Sequence, residues 1–203
     1  MTDYVVFDLE TTGFSPVSNE IIQIGAFKVI GGVVTEKFVC FVKPVGYIPM
    51  QVQTLTGISM DDVSDANPIE MILPEFVKFC GDLPLLGHNI QFDYSFIIAK
   101  ARGIGIDFTL SGTRQGIDTC ELAKKYMRCA DNKLGTVAKS IGVEIDSEKT
   151  YHNAGYDAYT TKLIYDWMLD SFPNILAVTT PSLLEKTKTV YGKVEIDDAL
   201  SFE

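Results

Sequence analysis

The sequence predicts an α/β fold: a mixed five-stranded sheet, begun by an antiparallel hairpin and completed by a βαβα run, with helices on both faces. Three observations carry this. The run Tyr4 to Phe7 is apolar, β-branched and aromatic without a break, which suits a strand buried on both sides. Two further β-rich runs, Glu20 to Ile30 and Val33 to Val42, are joined by Gly31-Gly32, and paired glycines supply the positive φ that a tight hairpin turn requires. Past residue 67, helical and strand-like segments alternate.

The first strand ends at Asp8-Leu9-Glu10 and turns at Thr11-Thr12-Gly13. From Pro49 the pattern changes, through Leu55-Thr56-Gly57-Ile58-Ser59 and a polar turn, to Asn67-Pro68-Ile69-Glu70. There Asn as cap, Pro at the first helical position and Glu three residues after the cap predict a helix start. Ile69, Ile72, Leu73, Phe76, Val77 and Cys80 then recur at helical spacing, and Gly81 closes the helix. Pro84 to Gly87 reads as a short strand, followed by a helix from Ile90 to Ala101 capped by Asn89 and ending at Gly103. Ile117-Asp118-Thr119 leads into a helix through Met127, and Leu134 to Ile141 forms another, stopped by Gly142. A last helix runs to about Met168, with Ala154, Ala158, Thr161 and Tyr165 on one face and Asp157 beside it. Residues 1–170 are expected to form the main domain. Residues 171–203, rich in Pro and Thr at first and acidic at the end, are expected to form a C-terminal extension that either docks a partner or folds back.

About half of the 203 residues are apolar, enough for one well-buried domain. No window approaches the roughly eighteen apolar residues of a membrane span, so no membrane partner is expected and a soluble, cytoplasmic protein is. The four cysteines lack a Cys-x-x-Cys pair and read as reduced core thiols. The net charge of −10 argues against a strong grip on long duplexes, because nonspecific affinity for phosphates comes from clustered Lys and Arg. That objection is weaker if carboxylates bind a divalent cation, because a metal-centred site can be electropositive on an acidic protein. A nucleic-acid substrate would then be short, or delivered by a partner.

Side chains alternate across a strand, so Asp8 and Glu10 share one face. With no Lys or Arg between them, a hard, oxygen-preferring cation such as Mg²⁺ or Mn²⁺ is the simplest way to keep both ionised. Solvated loop chemistry is the bland alternative for an isolated Asp-x-Glu. Asp93 falls in the first turn of its helix, where the dipole alone would account for a carboxylate equally well. His152 precedes the last helix and is expected to project from the loop before it. The chain has only two histidines, His88 and His152, and each lies within five residues of one of these acids.

The spaced set Asp8, Glu10, Asp93, His152 and Asp157, within FDLETTG, HNIQFD and HNAGYDAYTT, resembles the DEDDh class of 3′–5′ exonucleases, the DnaQ-like family. The resemblance covers about residues 4 to 168. It is closest to the proofreading epsilon-type subunits of bacterial DNA polymerase III, and ribonuclease T and oligoribonuclease share the motifs. It implies a ribonuclease H-like fold and two divalent ions, Mg²⁺ or Mn²⁺. By the same resemblance Asp8 bridges the ions, Glu10 and Asp157 complete the site of the ion that activates water, and Asp93 supports the second ion. His152 is then the general base, an imidazole with a pKa of about 6 to 7 being suited to take a proton from water. The implied substrate is the 3′ end of a single-stranded nucleic acid, DNA favoured over RNA, cleaved to nucleoside 5′-monophosphates in proofreading or repair. An exoribonuclease or oligoribonuclease, and a non-catalytic polymerase-bridging module, are the alternatives. Glu10 and the turn residues Thr11, Thr12 and Gly13 are assigned to the 3′-terminal nucleotide. Phe14, Leu55, Thr56 and Phe92 are candidates for contacts with the terminal bases, with His88 and Asn89 as supports. Core packing remains an equal alternative for the apolar ones. A DNA polymerase subunit is the expected partner of the C-terminal extension.

Overall fold

The structure is a computed structural model and describes residues 3–106, 108, 116–143, 153–172 and 175. Strands β1 (Tyr4–Thr11), β2 (Ile21–Ile30), β3 (Val33–Phe41), β4 (Leu85–Gly87) and β5 (Gly116–Asp118) form one sheet in the order β3-β2-β1-β4-β5. The β1/β2 and β2/β3 pairs are antiparallel, whereas β1/β4 and β4/β5 are parallel. The hairpin between β2 and β3 turns on Gly31 (φ 60°) and Gly32 (φ 85°), two consecutive positive φ values of the kind a primed two-residue turn needs. This is the mixed sheet that the residue pattern predicts.

The helices among the described residues are α1 (Met50–Thr56), α2 (Ile69–Cys80), α3 (Ile90–Gly103), α4 (Thr119–Tyr126), α5 (Leu134–Ser140) and α6 (Ala154–Ser171). They cover both faces because β1 is apolar on both. Val5, Phe7 and Leu9 pack with Leu73 and Phe76 of α2 and with Phe96 and Ile97 of α3. On the opposite face Tyr4 and Val6 pack with Phe27, Leu86 and Ile117 and with Ala158 and Tyr165 of α6. At the far end of α6, Ile164 and Met168 pack with Ala123, Val137, Ala138 and Ile175, and Phe172 sets its ring against Tyr126 at 5.5 Å. The described residues just past Ser171 therefore rest on the domain itself. All other residues of the predicted extension lie outside the described ones.

Three local features differ from expectation. The helix α1 falls in a stretch to which the pattern assigns no element; of its seven residues only Thr56 is buried, so it has no apolar stripe to betray it, and its signals are Pro49 before and left-handed Gly57 (φ 71°) after. The start of α2 lies one residue later than predicted. Pro68 stays extended (ψ 162°) because it bridges to Lys43, whose N–H donates to Asn67 O at 3.0 Å, and the side chain of Asn67 does not cap. Asn89 does precede α3, but it sits in the left-handed region (φ 62°, ψ 45°) and its side chain makes no capping bond. Its backbone N–H donates instead to Asp118 Oδ1 at 2.9 Å.

Backbone meets backbone where α6 crosses β2. A Cβ placed on Gly25 would come within 2.2 Å of Ala154 C and Gly155 N, so the first turn of α6 lies directly on the strand. Gly25→Ala is expected to destabilise the protein by roughly 1–3 kcal/mol in chemical denaturation, through overpacking. On an uncovered strand the same change is mildly favourable, by up to about 1 kcal/mol. A neutral or stabilising result would show that the helix does not rest there.

Candidate active site

Four elements converge at the carboxyl end of β1. Alternation along the strand turns Asp8 and Glu10 toward α6, on the face occupied lower down by Tyr4 and Val6. Gly25 is the cross-strand partner of Asp8, and the helix that rests on Gly25 carries Asp157 in its first turn. One carboxylate oxygen each from Asp8, Glu10 and Asp157 lies within 4.8 Å of the others, a spacing suited to oxygen ligands of a cation.

Asp93 arrives from the α3 side by a different route. The N–H of Val5 points toward β4 and donates to Pro84 O at 2.9 Å; two and four residues on, Phe7 and Leu9 present their N–H groups along the same edge. The strand β4 stops at Gly87, so Leu9 N–H has no strand partner there. Asp93 Oδ1 accepts it at 3.1 Å, which fixes a fully enclosed carboxylate beside the other three. Asp118 supports this arrangement from behind. Its Oδ1 accepts the N–H groups of Asn89 and Cys120, tying the start of α3 to the start of α4.

Crowding and burial act together on the proton affinity of the four acids. Burial, reinforced by Asp93, Asp157 and Glu10, pushes the Asp8 carboxyl well above its ordinary value. Glu10 is pushed up to about 9, by burial and then by Asp157 and Asp93. Asp93 rises to about 8 through burial, although the backbone N–H groups of Leu9 and of Asp93 itself favour its charged form. Burial raises Asp157 to about 7. Without a cation the cluster therefore holds protons at neutral pH, and with one it can release them.

The first turn of α6 is held by two side-chain acceptors. Asn153 Oδ1 accepts Tyr156 N–H at 3.2 Å, and Gln23 Oε1, from β2, accepts Ala154 N–H at 2.8 Å. Neither Gln23 nor Gly25 stood out in a strand that reads as plain β; a buried amide and a glycine within an otherwise apolar strand were the available signals. His152 lies outside the described residues.

The predicted substrate residues divide into two groups. Phe14 is 88% exposed, its ring 6.4 Å from that of half-buried Phe92, and Leu55 is 51% exposed. Phe14 follows the end of β1 and Phe92 precedes Asp93 in α3, whereas Leu55 lies on α1. Most of the others commit their polar groups within the protein. Thr11 Oγ1 donates to Gly13 O at 2.7 Å, and Thr12 Oγ1 accepts Glu20 N–H at 2.9 Å. Thr56 is buried, its hydroxyl donating to Val52 O at 2.9 Å and accepting Ile58 N–H at 3.1 Å. His88 has both ring nitrogens engaged, Nδ1 at 2.9 Å from Thr119 Oγ1 and Nε2 at 2.7 Å from Asn132 O. Its burial lowers the ring pKa, and because a carbonyl only accepts, the neutral ring carries its proton on Nε2. Asn89 is exposed, with its N–H committed to Asp118.

Comparison with known proteins agrees with this geometry. The sequence profile of the RNase T family, described as exonuclease, matches residues 5–165. The chain is 38% identical over 174 residues to the PolC-type DNA polymerase III of Caldanaerobacter subterraneus subsp. tengcongensis, a match covering 85% of this chain and 12% of the polymerase. It is 33% identical over 188 residues to the PolC-type DNA polymerase III of Thermotoga maritima, covering 91% and 13%. The chain thus spans about an eighth of the length of these curated relatives. Among solved structures, E. coli exonuclease I in complex with a dT13 oligonucleotide superimposes with a TM-score of 0.76 at 16% identity, over 88% of this chain and 43% of that one. Exonuclease X in complex with 5′ overhanging duplex DNA gives 0.65 at 20%, over 83% and 92%. At such identities the likeness speaks for the fold, which is ribonuclease H-like. With its profile match spanning most of the sequence and its acids gathered at one strand end, the chain belongs to the RNase T exonuclease family, as a DnaQ-like 3′–5′ exonuclease.

Proposed function

We propose that this domain hydrolyses single-stranded DNA from its 3′ end, releasing nucleoside 5′-monophosphates, and that it proofreads or repairs for a DNA polymerase in the cytoplasm. The observation that carries the chemistry is the convergence of Asp8, Glu10 and Asp157 within 4.8 Å, with Asp93 alongside. The preference for DNA rests on the PolC-type relatives and on the oligonucleotide held by exonuclease I. The donor set is all carboxylate, which fits hard divalent ions, Mg²⁺ or Mn²⁺. Two such ions supply a water-derived nucleophile near neutral pH and stabilise charge on the attacking and leaving oxygens. Asp8, Glu10 and Asp157 would hold such ions, with Asp93 as a further carboxylate for them. His152 takes the proton of the attacking water as the bond from phosphorus to the upstream O3′ breaks. Glu10 and the backbone of Thr11 hold the terminal 3′-hydroxyl, while Phe14, Leu55 and Phe92 meet the terminal bases. Within residues 171–203, the part beyond Ile175, which itself packs on the domain, docks the polymerase partner. The acidic balance of the chain favours short or partner-delivered strands, and that makes RNA oligonucleotides the informative competitor.

Turnover is to be compared on single-stranded DNA, RNA and dinucleotides, with Mg²⁺ and with excess chelator. DNA is expected to be degraded fastest and only with the metal; faster RNA turnover overturns the DNA assignment, and cleavage in chelator overturns the metal-dependent one. His152→Ala is expected to lower kcat by roughly 10²–10⁴-fold while Mn²⁺ affinity, read by calorimetry, is unchanged. Near-normal turnover would remove His152 from the chemistry.

The raised carboxyl pKa values also predict the pH dependence of stability. Glu10 (about 9), Asp93 (about 8) and Asp157 (about 7) bind protons in the folded chain over a range where the unfolded chain has lost them. In chelator, Tm should therefore fall as pH rises from about 5 to about 9. Divalent ions compete with those protons, so Mn²⁺ should raise Tm more at about pH 8 than at about pH 5. An equal rise at both would contradict the clustered, protonated state.

A further inference from the structure

We propose that Gln23 is a positioning residue for the nuclease site, one that sets where Asp157 stands over Asp8 and Glu10 without itself touching substrate. This inference rests on the nuclease reading. The first four N–H groups of any helix lack intrahelical acceptors. In α6 the first intrahelical bond is Asp157 N–H to Asn153 O, and of the earlier N–H groups that of Tyr156 is accepted by the Asn153 side chain. The N–H of Ala154, at the buried start of the helix, is left for something else. Its acceptor comes from a strand 131 residues away, as Gln23 Oε1 at 2.8 Å.

The placement of Gln23 makes this bond a locating device. Gln23 is the cross-strand partner of Glu10, and Gly25, two residues on, is the partner of Asp8. Both therefore look toward α6 from directly beside the two strand acids. Gly25 sets how close the helix comes, because its missing Cβ is what lets the backbone of Ala154 and Gly155 touch the sheet. Closeness alone leaves the helix free to slide along the strand. A hydrogen bond to the first N–H removes that freedom three residues before Asp157.

The chemistry of the position agrees. Gln23 is 3% exposed within a strand whose neighbours Ile21, Ile22, Ile24, Ala26 and Phe27 are all buried apolar residues. An amide there is unfavourable unless it is bonded, and an aliphatic side chain of similar size would fill the space without that cost. What such a side chain lacks is an acceptor for Ala154. Loss of one outer partner that orients a metal ligand typically costs 10–100-fold in metal affinity or activity.

The test compares Q23M, which keeps volume and loses the acceptor, with Q23E, which keeps the acceptor. In Q23M, Mn²⁺ affinity measured by calorimetry without DNA is expected to fall by roughly 10-fold or more. The Ala154 amide should exchange faster with solvent, and kcat on a single-stranded DNA oligonucleotide should fall by a similar factor, with KM within about 2-fold. Q23E should recover the amide protection and most of kcat. Wild-type Mn²⁺ affinity and Ala154 protection in Q23M would overturn the proposal, as would a Q23E variant as impaired as Q23M. Should Q23M fail to fold by circular dichroism, Q23N, one methylene too short to reach, takes its place with the same expected outcomes. If the wild-type protein shows no nuclease activity, the nuclease reading falls, while metal affinity and amide exchange still decide the role of Gln23.

Discussion

Four carboxylates share the carboxyl end of β1, and the rest of the structure is organised to hold them there. Two come free with the strand, since Asp8 and Glu10 must share a face. The other two are brought from α3 and α6 and set down where desolvation and like charge both oppose ionisation. Such a cluster is tolerable with protons or with cations, since either removes the like-charge repulsion. That requirement links the fold to the chemistry of a metal-dependent phosphodiesterase.

Holding repelling groups together requires a backbone that cannot relax. The sheet supplies it in two ways. At β2 the absent side chain of Gly25 and the acceptor of Gln23 fix the start of α6 in closeness and in position. At β4 the early end of the strand leaves Leu9 N–H to hold Asp93. In each case a backbone group that secondary structure leaves unsatisfied becomes the attachment point of an active-site element.

The surroundings of the cluster show how one neighbourhood serves two purposes. Phe14 and Leu55 keep apolar surface exposed, and Phe14 sets its ring against half-buried Phe92. Three polar residues turn inward: His88 bonds Thr119 and Asn132, Thr56 closes the end of α1, and Thr12 closes the turn onto Glu20. Their side-chain polar groups are thereby committed within the protein.

Much of this was legible in the residues alone, for definite reasons. The buried strand, the Gly31-Gly32 hairpin and the apolar stripe of α2 follow from local periodicity and turn chemistry, and Asp8-x-Glu10 follows from strand alternation. Their failures are equally local. The helix α1 has no buried stripe to announce it, while Pro68 and Asn89 obey tertiary partners, Lys43 and Asp118, that lie far along the chain. What the sequence by itself determined was which acids exist, on which elements, and which way each strand side chain points. Only the tertiary structure decided that Asp157 stands over Asp8, because that depends on a glycine and a glutamine meeting a helix 131 residues away from the latter. No local pattern records such a meeting, since burial and backbone satisfaction are properties of the assembled chain.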